Sequence, residues 1–258
     1  MRINMPQAQD WICPKWPAPA NIRAYSTTRH GGRSVGSYAS MNLGDHVEDA
    51  ADAVLSNRAY LARALQLPSE PCWLTQTHSN VVIDVGHSQQ INQRADAAFT
   101  TQPALVCVAL TADCLPVLIC DQRGTQVAAV HAGWRGLAAG IIENTVTALM
   151  QRGHGEPGQL LAWLGPAIGP GAFEVSDDVR NAFVKFDRRA KNAFVPIADH
   201  QWLANLYLLA QQRLSKLGVS AIYGGGYCTV TQYQQYYSYR RDGQTGRMAS
   251  LIWMDSAP

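Results

Sequence analysis

The chain has 258 residues, 47% of them hydrophobic and 16% charged, which suits one folded unit with a sizeable core and excludes a mostly disordered chain. Its 21 basic and 19 acidic residues leave a net charge of +2, so bulk charge gives no support for a nucleic-acid or membrane-surface role. No run approaches the roughly 20 apolar residues of a membrane span, and the opening MRINMPQAQDWICPKWP lacks the apolar centre of a signal peptide. Six cysteines (Cys13, Cys72, Cys107, Cys114, Cys120 and Cys228) include no CxxC pair, which predicts free thiols in a reducing compartment. The expectation is a cytoplasmic protein with neither nucleic-acid nor membrane partners.

An extended run is expected near 22–26, followed by a helix over 50–66 with Val54, Leu61 and Leu65 on one stripe. Further extended runs lie near 81–85, 104–110, 115–120 and 126–131. A helix over 134–150 follows a glycine turn and carries Leu137, Ile141, Val146 and Leu149. A strand near 160–164 precedes a helix over 176–186, started by Ser176 ahead of Asp177 and Asp178. A helix over 203–217 holds Leu203, Leu206, Tyr207, Ala210, Leu214 and Leu217 and stops at Gly218. Strands near 220–223, 236–240 and 249–253 complete the pattern. Neither an internal repeat nor a low-complexity linker divides the chain, so one domain over 1–258 is expected, with residues 1–20 as an amino-terminal extension. Strands and helices interleave irregularly, which predicts an α/β fold of the α+β type, a mixed β-sheet with packed helices.

Glycine-rich stretches offer little. The run Gly165 to Gly171 contains two prolines and does not match a dinucleotide loop, and GxxxxGK[ST] is absent. The informative stretch is LVCVALTADCLPVLICDQRGTQVAAVHAGWRG, residues 105–136. Its two apolar runs flank a turn at 121–125 and read as a hairpin. With Cys120 opposite Gln126, Leu115 lies opposite His131, and Cys114 meets His131 at the open end. Cys114 interrupts the polar break Thr111-Ala112-Asp113-Cys114, whereas Cys107 and Cys120 lie inside apolar runs. The helix start at Trp134 favours negative charge nearby and hence a thiolate. A nucleophilic Cys–His pair and two ligands of a soft metal site are both consistent with this pairing, as is a packed thiol beside a hydrogen-bonded ring. His78, at a polar break before a β-branched run, is a third candidate; His30, His46, His87, His154 and His200 have little to distinguish them.

The segments STTRHGGRSVGSYASMNLGDH (26–46), WLTQTHSNVV (73–82), RADAAFT (94–100), TADCLPVLICD (111–121), AAVHAGWRGLAAGI (128–141), LAWLGPAIGPGAFEVSDDV (161–179) and YYSYRRDGQTGRMASLIW (236–253) run in order over nearly the whole chain. Together they resemble the YfiH/PgeF-type proteins, the polyphenol-oxidase or laccase-domain family that includes FAMIN-related members. The resemblance implies a YfiH-like fold, similar to that of Cys-His hydrolases, and a metal site of His78, Cys114 and His131 holding zinc, with copper as the alternative ion. Three ligands leave a fourth position open, the pattern of a catalytic site.

The resemblance also implies a purine nucleoside enzyme that phosphorolyses adenosine, inosine and methylthioadenosine and deaminates adenosine. The H-x-E…P-C-x-x-C signature of zinc nucleobase deaminases is absent, so a general acid or base must come from elsewhere. Asp113 is one choice, with a turn-forming role equally open. Phosphate calls for arginine, and the candidates are Arg29, Arg135 and Arg240 or Arg241. Arg29, Asn42, Arg135 and Arg241 are taken as substrate contacts. A competing reading from the same family is peptidoglycan editing, in which Cys114 attacks an amide, with His131 as base, to remove a misplaced L-serine from a UDP-MurNAc precursor. Copper-dependent phenol oxidation is a weaker alternative, since no two of the seven histidines are spaced as His-x-His. A non-enzyme with structural zinc is the last. The family often has an Asp-Leu pair where this chain has Asn205-Leu206. The expected partners are a purine nucleoside and phosphate, and the expected state is a monomer or weak homodimer.

Overall fold

Apolar runs buried on both faces form the spine of the molecule, as seen in a computed structural model that describes residues 11–86, 93–153 and 155–256. His87 and His154 lie outside the described residues. The runs are β3 (Ala97–Thr100), β5 (Leu115–Asp121), β6 (Val127–Ala132) and β7 (Leu160–Leu164), in which every residue is buried. With β2 (Val82–Asp84) and β11 (Ala221–Gly224) they make a six-stranded sheet in the order β11-β7-β5-β6-β3-β2. The two outer pairs are parallel and the central pairings antiparallel. The sheet is therefore mixed, and the fold is the expected α/β type.

Side chains alternate across a strand, and β5 uses both faces. Val117 and Ile119 face helices α3 (Ile141–Gly153) and α5 (Leu206–Lys216), where Ile142, Leu149, Leu209 and Leu214 join one core. Leu118 and Cys120 face the other way, into a core with Ile252 and Met254. Those two residues belong to a second sheet, β1 (Ile22–Ser26), β12 (Met248–Met254) and β4 (Cys107–Thr111), antiparallel throughout. Its far side packs Val108, Leu110, Leu251 and Trp253 against Leu61 of helix α1 (Ala51–Leu65). The inner strands of both sheets and β4 are thus enclosed on both faces and read as continuous apolar runs, whereas the edge strand β1 alternates, with Arg23 exposed between buried Ile22 and Ala24.

Four expectations need correction. The β5–β6 hairpin pairs Cys120 with Val127 and Pro116 with His131, one residue from the expected register. The Asp121 carboxylate causes the shift: it accepts from the Thr125 amide (2.7 Å), the Thr125 hydroxyl (2.7 Å) and the Gln126 amide (3.3 Å), closing a longer turn. The helix expected over 134–150 divides at Gly140, whose φ of +95° ends α2 (Trp134–Ala139) before α3 begins. Residues 236–240 do not form a strand; Tyr236 and Tyr237 are buried, and the Ser238 side chain caps the short helix α6 (Tyr239–Asp242) through the Arg241 amide. The helix expected from 203 begins at Leu206, because β10 (Gln201–Ala204) pairs with β8 (Glu174–Ser176) and β9 (Phe194–Ala198). Asn205 caps it, accepting the Leu208 amide at 3.0 Å. The charge difference at this position is therefore accommodated, since asparagine and aspartate serve equally well as helix caps. Helix α4 (Asp177–Phe186) lies as expected. No helix among the described residues is long and apolar enough to cross a membrane.

Candidate metal centre

One buried carboxylate organises the site. Asp96, just ahead of β3, has a side chain that is fully enclosed. It accepts hydrogen bonds from the amides of Thr77 (3.2 Å), His78 (2.9 Å) and Ser79 (2.6 Å), and from the Ser79 hydroxyl (2.6 Å). The loop carrying His78, which sits at a φ of +60°, is thereby folded around it. Asp96 also receives Nδ1 of His131 at 2.8 Å, and its carbonyl receives the His131 amide at 2.7 Å. A proton held on Nδ1 leaves Nε2 as the ligand atom, the outer-shell arrangement common to metal-binding histidines.

Cys114 arrives from the turn between β4 and β5. Asp113 shapes that turn with a φ of +90°. Its carboxylate accepts from the Thr229 hydroxyl (2.5 Å) and the Arg240 amide (2.6 Å). Both oxygens are thus held by structural partners, the turn-forming role rather than that of an acid or base. Cys114 Sγ then lies 3.7 Å from Nε2 of His78. The ligand atoms of His78, Cys114 and His131 all fall within 4.8 Å of one another. His131 is buried, Cys114 half-buried and His78 exposed, so the group opens towards solvent on one side.

Two glycines let the backbone come this close. A Cβ on Gly133 would meet Cδ2 of His78 at 2.8 Å and Sγ of Cys114 at 2.9 Å. A Cβ on Gly136 would meet the Ser79 carbonyl at 2.6 Å. The start of α2 can therefore press against the His78 loop only because HAGWRG has no side chain at these positions.

The electrostatics suit a cation. Burial opposes ionisation of Cys114, but the charge and hydrogen bonding of His131, with His78 behind, bring the thiol down to about 6. Burial likewise opposes charge on His131, and the Cys114 thiolate and Asp96 carboxylate overcome it, raising the imidazole to about 9. Burial also works against Asp96, yet His131 and Ser79 hold its carboxyl well below the usual range. Without metal the centre is a thiolate–imidazolium pair backed by a carboxylate. A thiolate with two imidazole nitrogens is a soft donor set that fits zinc or copper.

The group borders a cavity of about 450 Å³. Arg135 lines it, with its guanidinium 4.4 Å over the Trp134 ring. The other expected substrate contacts do not. Asn42 is fully buried, and its amide bonds Gly44, Asp49 and the Arg247 backbone, leaving no polar atom for a substrate. Arg29 donates to the carbonyls of Ala39 and Tyr233 and packs 4.9 Å over Tyr237. Arg241 holds the carbonyls of Thr229, Val230 and Tyr236 and pairs with Asp242 at 2.6 Å. Arg29 and Arg241 instead line a separate hollow of about 390 Å³. Arg240, the neighbour of Arg241, lines the main cavity, as do Arg247, Tyr239 and His46. Sequence reasoning passed over Arg247 and Asp96; a carboxylate inside RADAAFT, hemmed by alanines, was the available signal for the latter.

A mixed α/β fold that presents a His–Cys–His group at a cavity defines the class. Residues 23–255 match the family described as "Multi-copper polyphenol oxidoreductase laccase", and the chain belongs to it. It is 51% identical over 246 residues to a Haemophilus influenzae protein named "Purine nucleoside phosphorylase", covering 95% of this chain and 99% of that one. It is 49% identical over 243 residues to "Purine nucleoside phosphorylase YfiH" of Escherichia coli K12, covering 94% and 98%. Among solved structures, Neisseria meningitidis protein NMB0706 matches with a TM-score of 0.91 at 46% identity, covering 96% of this chain and 100% of that one.

Proposed function

We propose that this chain is a zinc-dependent purine nucleoside phosphorylase, acting in the cytoplasm on adenosine, inosine and methylthioadenosine, with adenosine deamination as a further activity of the same site. The observation that carries this reading is the convergence of three ligand atoms within 4.8 Å at a cavity lined by arginines. The names of relatives that are about half identical over nearly their full length support it. The three-ligand set favours a catalytic over a structural ion. The cavity, near 450 Å³, falls in the size range of small-molecule sites.

In phosphorolysis a phosphate oxygen bonds to C1′ of the ribose. The bond from C1′ to the purine breaks with its electrons leaving on the base, which takes up a proton. Zinc, when bound, supplies Lewis acidity at a position the three ligands leave free. The chain's own residues provide the frame: Asp96 keeps the His131 proton on Nδ1 and holds the His78 loop in place. Trp134 and Phe173 give the cavity apolar walls.

A second reading, attack of Cys114 on an amide, is favoured by the 3.7 Å approach of its sulfur to an imidazole. Product analysis separates the two. Zinc-assayed protein incubated with inosine is expected to release hypoxanthine and ribose 1-phosphate only when phosphate is present. Chelation is expected to stop the reaction, and zinc to restore it. Inert nucleosides together with serine release from a muropeptide precursor would replace this reading with the amidase.

A further inference from the structure

We infer that Arg247, Arg240 and Arg135 form the subsite that holds the attacking phosphate; the assignment rests on the phosphorolysis reading above. The three come from separate segments, Arg135 from the first turn of α2, Arg240 from α6 and Arg247 from the residue before β12, yet all line the cavity that holds Cys114 and His131.

Their donors are positioned but not consumed. Arg247 uses Nη1 on the carbonyls of Thr245 (2.8 Å) and Gly246 (3.1 Å), while buried Asn42 grips its backbone amide at 2.9 Å. Its Nε and Nη2 make no hydrogen bond among the described residues. Arg240 uses one nitrogen on the Glu174 carbonyl at 3.1 Å and lies 5.4 Å over Phe173. Arg135 stacks on Trp134 and makes no hydrogen bond among the described residues.

None of the three forms an ion pair with a carboxylate among the described residues. Three other arginines are paired with carboxylates, Arg213 with Glu143 at 2.6 Å, Arg58 with Asp45 at 3.3 Å and Arg241 with Asp242 at 2.6 Å, whereas half-buried Arg29 is held by backbone carbonyls and half-buried Arg180 stacks on Trp202. The carboxylate lining the cavity, Asp113, is held by Thr229 and by the Arg240 backbone amide. Burial draws Arg247 down from the ordinary guanidinium range, with Cys114 and Asp113 pulling the other way. Burial, followed by the charge of Arg247, likewise holds the His46 imidazole down. Three guanidinium groups with open N–H edges and no ion-pair partner within 4 Å among the described residues make a site for a compact oxyanion of high charge, because each can offer parallel donors to two oxygens. Asn42, expected to touch substrate, here acts from behind as the residue that positions Arg247.

The test uses zinc-loaded full-length protein and inorganic phosphate, followed by titration calorimetry and by initial rates with inosine. Arg247→Met and Arg240→Met are each expected to raise both the phosphate Kd and the phosphate KM by about tenfold or more, the scale of one charge-assisted hydrogen bond. The inosine KM and the zinc content should stay within about twofold, a margin of roughly 0.4 kcal/mol. Arg247→Lys is expected to fall between Arg247→Met and the parent, because it keeps the charge and loses the fork. Arg188→Met, exposed and outside the cavity, should match the parent. Arg240→Met guards against misfolding of the Arg247 variants, since its guanidinium holds a single backbone carbonyl. Unchanged phosphate affinity in both methionine variants, while inosine is still phosphorolysed, would overturn the subsite and leave the reaction standing. Arg247-dependent phosphate binding without nucleoside cleavage would leave the subsite standing and remove the reaction. Binding of inosine 5′-monophosphate through these arginines, with none of free phosphate, would also overturn the assignment, because the anion would then belong to a nucleotide.

Discussion

Cys114→Ser is expected to fold and to lose its tightly held metal. Cys114 is half-buried at the end of a turn, and the turn itself is held by Asp113 and its partners rather than by the sulfur. The near-isosteric change should therefore cost no more than about 1.5 kcal/mol of stability. The chemical change is much larger. The protein lowers the Cys114 thiol to about 6 against the opposition of burial, so the parent presents a thiolate at neutral pH, whereas a serine hydroxyl stays protonated and is a poor ligand for a soft ion. Loss of an outer-shell partner alone costs about 10- to 100-fold in metal affinity, so loss of the thiolate should exceed that. Metal content after gel filtration, measured by plasma mass spectrometry, should fall from near stoichiometric to near zero, and phosphorolysis with it. A variant that keeps one metal per chain would remove Cys114 from the ligand set.

Asp96→Asn is expected to have the largest effect among residues that never touch the metal. The carboxylate accepts five hydrogen bonds, four from the loop 77–79 and one from His131. An asparagine side chain has one acceptor oxygen, and its NH2 must face a donor in either orientation. A buried donor is then left unpaired, as happens when one partner of a buried ion pair is removed, at a cost of roughly 3 kcal/mol. Metal affinity should fall by about 10- to 100-fold, because neither His78 nor His131 is held in place. Urea denaturation of the metal-free proteins measures the first effect and competition with a chelating dye the second.

The pH dependence of that difference has a definite sign. The Asp96 carboxyl is held well below its ordinary range in the folded protein, where the His131 and Ser79 bonds outweigh burial. Its stabilisation is therefore fully present above the unfolded carboxyl value of about 3.9 and is lost as pH falls below it. The gap in stability between parent and Asn variant should be full near about pH 5 to 6 and shrink below about pH 4. It should also narrow above about pH 6.5, the free imidazole value, because the His131 charge that Asp96 holds is lost as pH rises towards about 9. A gap that stayed constant through this acid range would show that ionised Asp96 is not its source.

The central part of the site was legible because a hairpin brings its two strand ends together whatever its register. The one-residue slip at Asp121 moved the partner of His131 from Leu115 to Pro116 without separating it from Cys114. The third ligand, His78, came from resemblance, since nothing local in WLTQTHSNVV shows that its loop wraps a carboxylate near residue 96. Asp96 escaped notice because its partners lie 17 to 35 residues away in the chain, and periodicity carries no information at that range. Arg240 and Arg241 are neighbours, and a single turn of helix capped by Ser238 sends one to the cavity and the other to backbone carbonyls. The strands β9 and β10 went unseen for a simpler reason: they are short, and Val195 and Ile197 are exposed, so no buried face marks them.

X-ray absorption at the zinc edge of the metal-loaded protein tests the whole account most directly. One sulfur, two imidazole nitrogens and one further light atom are predicted around the metal, with the sulfur contribution absent from Cys114→Ser. A first shell without sulfur, or one filled by four protein ligands, would contradict it.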